Sequence, residues 1–219
     1  MKKLVTPIYI LILAGIAFTL SFGPTRDKFV SLTRSFPFLL GFIKIALLGT
    51  MGELLSGRIV TGNWKFSGIR LHQRVLVWGF LGILFTVVFP IFSIGTTGLV
   101  MSGLLPGKGH NLAVAFWSSF FMNMIFAFPM MVFHRITDTL IDRGQLFTPW
   151  PLVEVYTGID WKNMFHIAGF SCIWFWIPAH TFTFMLPPEF RVVSAAFLSL
   201  ALGLILGYGK RKAFLKSKE

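Results

Sequence analysis

The stretch PFLLGFIKIALLGTMGELLSGRIV, residues 37–60, decides the fold, because apart from Lys44, Glu53 and Arg58 it is apolar or small throughout. A helix of about 20 apolar residues crosses the hydrocarbon core of a bilayer. Burying an unpaired carboxylate in hydrocarbon costs several kcal/mol or more. The stretch therefore predicts a membrane span in which Glu53 faces protein or water.

The composition of the whole chain favours the same class of protein. Of 219 residues, 55% are hydrophobic and 13% are charged, whereas soluble domains contain about 25% charged residues. A soluble fold would have too few polar side chains to cover its surface. We expect an all-α, polytopic bundle of transmembrane helices, with the lipid bilayer as its main partner.

Six apolar runs are long enough to span a membrane. They lie near residues 4–22, 37–60, 71–92, 111–133, 164–185 and 191–208. The third helix is expected to end near Pro90, before an irregular, glycine-rich segment. We interpret residues 1–219 as one integral membrane domain. It consists of a signal-anchor span and loop added before the core (1–36), a helical core (37–208) and a basic tail (209–219).

The net charge of +12 is explained by topology. With six spans, fourteen Lys and Arg residues lie on one side of the membrane and five on the other, and Lys44 lies within a span. This positive-inside bias predicts that both termini are cytoplasmic. Nucleic acid is therefore not an expected partner, and a bacterial cytoplasmic membrane is favoured over an organellar one.

Small residues recur every four positions in two of the predicted spans. Such rows let helices approach closely in lipid. The row in the sixth span is Ala195, Ser199, Gly203 and Gly207; the row in the second is Gly41, Gly49, Glu53 and Gly57, with Gly52 and Ser56 beside it. Glu53 is thus predicted to face another helix, and a homo-oligomer or other membrane subunits are candidate partners.

Four polar residues within the spans are candidates for a pathway or for interhelical contacts: Lys44, Glu53, Asn123 and His180. Glu53 either joins helices or lines an aqueous cavity, and Asn123 is its predicted partner. Lys44 is predicted to snorkel outward, with a pore-lining role as the alternative. His180 is either an interfacial hydrogen-bonding residue or a proton-handling one.

The segment FHRITDTLIDR places His134, Asp138 and Asp142 on one helical face. This spacing suits two metal ligands or an acid–base pair, but an ordinary (i, i+3) pair between Asp138 and Arg135 is the favoured interpretation. No nucleotide-binding, metalloprotease or serine-hydrolase motif occurs. We predict no catalytic residue, cofactor or metal, and interpret Cys172 as a buried apolar residue.

Four motifs together resemble the Mpv-seventeen and twenty-two-kilodalton peroxisomal membrane protein family. They are MGELLSG, the arginines before WGFLG, NMIFAFP, and WFWIPAHTFTFMLPPEFR. The resemblance covers about residues 40–208 and implies a small membrane protein of the channel type. It points to these residues: Gly52, Glu53, Arg70, Arg74, Asn123, Pro129, Pro178, Pro187 and Arg191.

The sequence therefore favours an integral membrane protein that acts as a channel or in transport of ions or small solutes. A non-catalytic structural or assembly subunit of a membrane complex is the alternative. An enzyme that uses His134 and Asp138 ranks third.

Overall fold

Six apolar helices, each long enough to cross a membrane, make up most of the computed structural model, which describes residues 2–216. They run over Leu4–Ser21, Pro37–Thr61, Leu71–Met101, Asn111–Arg143, Trp161–Met185 and Pro188–Ile205. Within residues 2–216 there is no β-strand. The prediction of an all-α bundle with six spans is confirmed, and the chain is an integral membrane protein.

Between residues 2 and 216, ten α-helices and three π-helical segments form these spans and their connections. The α-helices are α1 (Lys2–Ser21), α2 (Gly23–Ser35), α3 (Pro37–Thr61), α4 (Leu71–Met101), α5 (Asn111–Met122), α6 (Phe128–Arg143), α7 (Leu152–Thr157), α8 (Trp161–Asn163), α9 (Ile177–Met185) and α10 (Pro188–Lys216). The π segments, Asn123–Ala127, Met164–Gly169 and Cys172–Trp176, lie inside the fourth and fifth spans. The charge bias predicts which end of the bundle faces the cytoplasm. We call that end the inner end and the opposite end the outer end.

Proline and glycine mark several helix boundaries. Pro37 and Pro188 open α3 and α10, where the missing N–H has no partner to lose. Gly62 and Gly144 end α3 and α6 in the left-handed conformation, each with φ of 76°, which glycine adopts without a Cβ penalty.

The predicted helix end near Pro90 is wrong, because α4 continues through it to Met101. A buried irregular segment would leave several backbone groups unpaired in lipid, whereas one proline removes a single donor. The chain turns only after Met101, where Gly103 and Gly107 have positive φ.

Helices also occupy two segments outside the predicted spans. Residues 23–35, in the predicted N-terminal loop, form α2, and α10 extends into the predicted basic tail as far as Lys216. The last three residues of that tail lie outside the described part of the chain.

Helix α3 lies at the centre of the bundle, where α10 packs on one side and α4 on the other. A Cβ on Gly52 would lie 2.6 Å from the Ser199 carbonyl oxygen, and one on Gly203 would overlap the carbonyl of Gly52. These close approaches fix α3 against its neighbours. In contrast, α1 lies at the periphery, tied to the rest by hydrogen bonds such as that from Tyr9 Oη to the Met51 carbonyl.

Candidate functional site

Arg74 joins three carboxylates at the inner end of the bundle. Its Nη1 donates to Glu53 Oε1 and, at 3.3 Å, to Asp138 Oδ1. Its Nη2 donates to Asp142 Oδ1 at 2.6 Å, and its Nε donates to the carbonyl of Ile69 at 2.9 Å. One guanidinium thus links α3, α4 and α6, using the forked donor geometry that suits arginine to several acceptors.

Two aromatic side chains complete this network. Trp78 Nε1 donates to Glu53 Oε2 at 3.1 Å, and His134 Nδ1 lies 3.1 Å from Asp138 Oδ2. The rings of Trp78 and His134 pack with centroids 4.5 Å apart. We call the following set the Arg74 cluster: Glu53, Arg74, Trp78, His134, Asp138 and Asp142.

Helical spacing explains how the chain brings these side chains together. Arg74 and Trp78 are one turn apart on α4, and His134, Asp138 and Asp142 follow one another at four-residue intervals on α6. The two helices therefore present complementary faces, and Glu53 enters from α3 between them.

The side chains of the Arg74 cluster differ in exposure. The side chain of Arg74 is 11% exposed, that of Glu53 is 29% exposed and that of Asp142 is 66% exposed. Glu53 lies about two helical turns before Thr61, the last residue of α3, which is about 12 Å at 1.5 Å per residue. The cluster therefore extends from the membrane surface into the bundle.

The Arg74 cluster carries an excess of negative charge. Three carboxylates against one guanidinium give 1 − 3 = −2 with His134 neutral. In addition, the Nε2 atom of His134 is buried without a hydrogen-bond partner among the described residues. The cluster can therefore accept protons or attract a cation.

Arg70 supports the cluster from its edge. Its Nη1 donates to the carbonyls of Ile141 and Asp142 at 2.7 and 3.0 Å, which are among the last four carbonyls of α6, where helical partners run out; the Ile141 carbonyl also accepts from the N–H of Gly144 at 3.0 Å. Arg70 itself has a positive φ of 47°. The contact fixes the end of α6 that carries Asp142.

Two predicted pairings in this region are wrong. Asp138 pairs with Arg74 and His134 rather than with Arg135. Asn123 is not the partner of Glu53, because its Nδ2 donates to the carbonyl and hydroxyl of Ser119 at 2.8 and 3.3 Å. Ser119 lies on the same face of the fourth span as Asn123, and its Oγ donates to the carbonyl of Ile177 on α9. This face therefore points toward α9, which helical phase alone could not show.

Asn123 instead lines a cavity of about 290 Å³ beside the π segments. Its Oδ1 is buried without a partner in the described chain, and the other lining residues are mostly apolar, among them Phe128 and Phe165. This cavity lies apart from the Arg74 cluster.

Lys44 does not snorkel outward as predicted. It is 7% exposed, and its Nζ donates to Thr33 Oγ1 at 2.8 Å and to the Glu189 carbonyl at 3.5 Å, while lying 4.3 Å from the ring centre of Phe29. Helix α2, which sequence analysis missed, supplies two of these contacts.

His180 is buried between aromatic rings near the outer end. Its ring stacks on Trp176 with centroids 5.3 Å apart and meets the edge of Phe89 at 5.8 Å. Its Nδ1 has no hydrogen-bond partner within residues 2–216. It makes no contact with the Arg74 cluster.

The residues of the four family-like motifs fall into different places. Glu53, Arg70 and Arg74 come together at the inner end, beside Gly52, whereas Arg191 lies at the outer end. Arg191 donates to Ser93 Oγ and to the carbonyls of Phe184 and Leu186 at 2.9–3.2 Å. Three motif prolines mark helix starts: Pro129 in α6, Pro178 in α9 and Pro187 just before α10.

In the two predicted packing rows, some residues make close helix contacts and others do not. Gly203 and Gly207 face α3, where a Cβ on Gly207 would lie 3.0 Å from Ile59, and Gly49 faces Trp78 on α4. Ala195 is buried and Ser199 is half-buried. Gly57 has no atom within 4 Å of its Cβ position, so it does not make a tight helix contact.

Sequence analysis missed Trp78, Thr33 and Glu189 as partners of the intramembrane charges. The four-residue spacing from Arg74 to Trp78 indicates, from the sequence alone, that the two side chains lie on the same face of one helix. No comparable signal in the sequence links Thr33 or Glu189 to Lys44, because they lie on other helices. Comparisons with protein-family models, curated proteins and solved structures give no match.

Proposed function

We propose that this membrane protein acts as a channel or transporter for ions or small solutes, with the Arg74 cluster as the charged inner end of its pathway. The observation that carries the proposal is the surplus of carboxylates around one arginine, which reaches from the exposed Asp142 to Glu53, about 12 Å inside the end of α3.

A network that served only to join helices would not need unbalanced charge. Charges inside a membrane protein are costly and mark ion pathways and proton relays, and one carboxylate would have neutralised Arg74. The two additional carboxylates and His134 give the cluster places to bind a proton or a cation. Contact between Arg74 and Glu53 would then correspond to a closed state.

The resemblance to the Mpv-seventeen and twenty-two-kilodalton peroxisomal membrane protein family supports the same proposal. Its motif residues Glu53, Arg70 and Arg74 meet at the Arg74 cluster. We propose that this chain is a distant relative whose pathway is built around that contact.

A non-catalytic assembly subunit is the second candidate. The same ion pairs join α3, α4 and α6, and the apolar surface of α1, such as Leu4 and Leu11, is exposed. In this alternative the Arg74 cluster stabilises the subunit and α1 contacts lipid or another chain.

Flux through proteoliposomes separates the two candidates. The parent protein, Glu53→Gln and Glu154→Gln are reconstituted, and the fluxes of protons, K⁺ and chloride are measured across pH. Glu154 is a matched control, since it is 68% exposed and pairs with Arg143 outside the cluster. We expect Glu53→Gln to fold and to change the flux or its pH dependence, and Glu154→Gln to match the parent.

Two outcomes count against the proposal. An unchanged flux in folded Glu53→Gln, with measurable flux in the parent, removes Glu53 from the pathway. A parent that conducts none of the three ions favours the assembly subunit.

A further inference from the structure

A second cavity, of about 200 Å³, lies at the outer end between α3, α4 and α10. We call it the outer cavity. It is smaller than the pockets of about 300–1,000 Å³ that hold drug-sized ligands, so it suits a small group. Its charged lining residues are Arg34, Lys44, Glu189 and Arg191.

Lys44 is a buried cation that has no carboxylate partner in the described part of the chain. It is 7% exposed, and its Nζ contacts a hydroxyl oxygen, a carbonyl oxygen at 3.5 Å and the ring of Phe29. Within residues 2–216 no carboxylate oxygen lies within 4.0 Å of it. An unpaired charge in such surroundings is costly, and an anion beside it would remove much of that cost.

The one carboxylate in the lining of the outer cavity makes its direct ion pair with another cation rather than with Lys44. The carboxylate of Glu189 pairs with Arg34 at 2.7 Å, and Arg191 donates to a hydroxyl and two carbonyls. Three cations and one carboxylate give 3 − 1 = +2. Pro37 and Pro188, the first residues of α3 and α10, also line the cavity, so two positive helix dipole ends lie at its wall.

We propose that the outer cavity binds a phosphate-type oxyanion, with Lys44 as its anchoring cation and Arg191 and Arg34 beside it. The phosphate is either free in solution or part of an anionic phospholipid headgroup, since the outer cavity extends from Pro37, at the outer end of α3, to Lys44, about 10 Å further along the helix. The inference does not rest on the proposed transport function.

The test uses delipidated full-length protein in a neutral maltoside detergent. One arm measures the melting temperature in sodium phosphate against sodium chloride of equal ionic strength. The other uses native mass spectrometry to count lipids retained after incubation with phosphatidylglycerol or phosphatidylcholine. The variants are Lys44→Met and Arg34→Gln, and the control is Lys28→Met, which removes an exposed lysine of α2.

We expect the parent and Lys28→Met to bind phosphate, phosphatidylglycerol or both in preference to the matched control. Binding by Lys44→Met should be weaker by about tenfold or more, the loss expected for a charge-assisted hydrogen bond. A response in the phosphate arm alone identifies the free anion, and one in the phosphatidylglycerol arm alone identifies the headgroup.

Lys44→Met should also melt above the parent when no anion is present, because it removes the unpaired charge. If this variant fails to fold, Arg34→Gln decides, since Arg34 is 70% exposed and its loss should weaken binding without affecting the fold. Binding that is equal in parent, Lys44→Met and Arg34→Gln would overturn the proposal, as would a parent that binds neither phosphate nor phosphatidylglycerol.

Discussion

The two ends of the bundle hold buried charge in opposite ways. At the inner end one arginine is surrounded by three carboxylates, giving −2, and at the outer end three cations surround one carboxylate, giving +2. Arg74 at the inner end has carboxylate partners, whereas Lys44 at the outer end has none in the described chain. The same span, α3, thus carries a paired carboxylate near one end and, near the other, a cation with no carboxylate partner among the described residues.

The largest loss of stability is expected when Arg74, the centre of the Arg74 cluster, is replaced. Arg74→Met leaves the Glu53, Asp138 and Asp142 carboxylates facing one another, and breaking a buried ion pair costs on the order of 3–5 kcal/mol. Thermal unfolding in detergent should therefore show a large loss of stability. Arg135→Met, which removes an exposed arginine from α6, should melt like the parent. Equal melting of both variants would mean that Arg74 does not stabilise the inner end.

A smaller loss is expected where α3 and α10 touch. Gly203→Leu places a large side chain against the carbonyl of Gly52, and overpacking of this kind costs about 1–3 kcal/mol. Gly52 precedes Glu53 of the Arg74 cluster, and α10 carries Glu189 of the outer cavity. The substitution should therefore disturb both the inner and the outer end of the bundle. Leu204→Ile, an exposed neighbour, is the control in the same melting experiment. A melting temperature of Gly203→Leu close to that of the control would contradict the contact.

Removing one hydrogen bond from the Arg74 cluster should have a modest effect. Trp78→Phe keeps the ring against His134 but deletes the donor to Glu53 Oε2, and one hydrogen bond to a charged group contributes about 1.5–3 kcal/mol at most. Since Arg74 still pairs with Glu53, we expect a loss near the lower bound, measured by chemical unfolding. A loss equal to that of Arg74→Met would show that Trp78, rather than Arg74, holds the network together.

The smallest effect is expected at Gly57, on a face of α3 that makes no close helix contact at this position. No atom lies within 4 Å of its Cβ position, and alanine is favoured over glycine in a helix by roughly 0.5–1 kcal/mol. Gly57→Ala should therefore leave the melting temperature unchanged or raise it slightly. Gly52→Ala, whose Cβ would lie 2.6 Å from the Ser199 carbonyl oxygen, should lower it. The reverse order would contradict the packing of α3.

The sequence predicted the spans well, because a run of about 20 apolar residues identifies a membrane helix without knowledge of its neighbours. It also placed Glu53 on a protein-facing side of α3, from the small residues around it. The partners of Glu53 and Lys44 were missed, because a hydrogen bond between helices depends on their rotation and depth. The π segments around Asn123 shift that rotation, and periodicity at 3.6 residues does not reveal them.

If the Arg74 cluster is the inner end of a pathway, water reaches Glu53 from that end, and thiol labelling measures this access. Glu53→Cys is made in a Cys172→Ser background, where Arg74 keeps Asp138 and Asp142 as partners. A membrane-impermeant, cationic thiol reagent is then applied to each side of sealed vesicles. Leu48→Cys, a position on α3 that is 1% exposed, is the control. We expect rapid labelling of Glu53→Cys from the inner side only, with Leu48→Cys unreactive. Labelling of neither variant before detergent is added would show that Glu53 lies in a dry helix contact and not in a pathway.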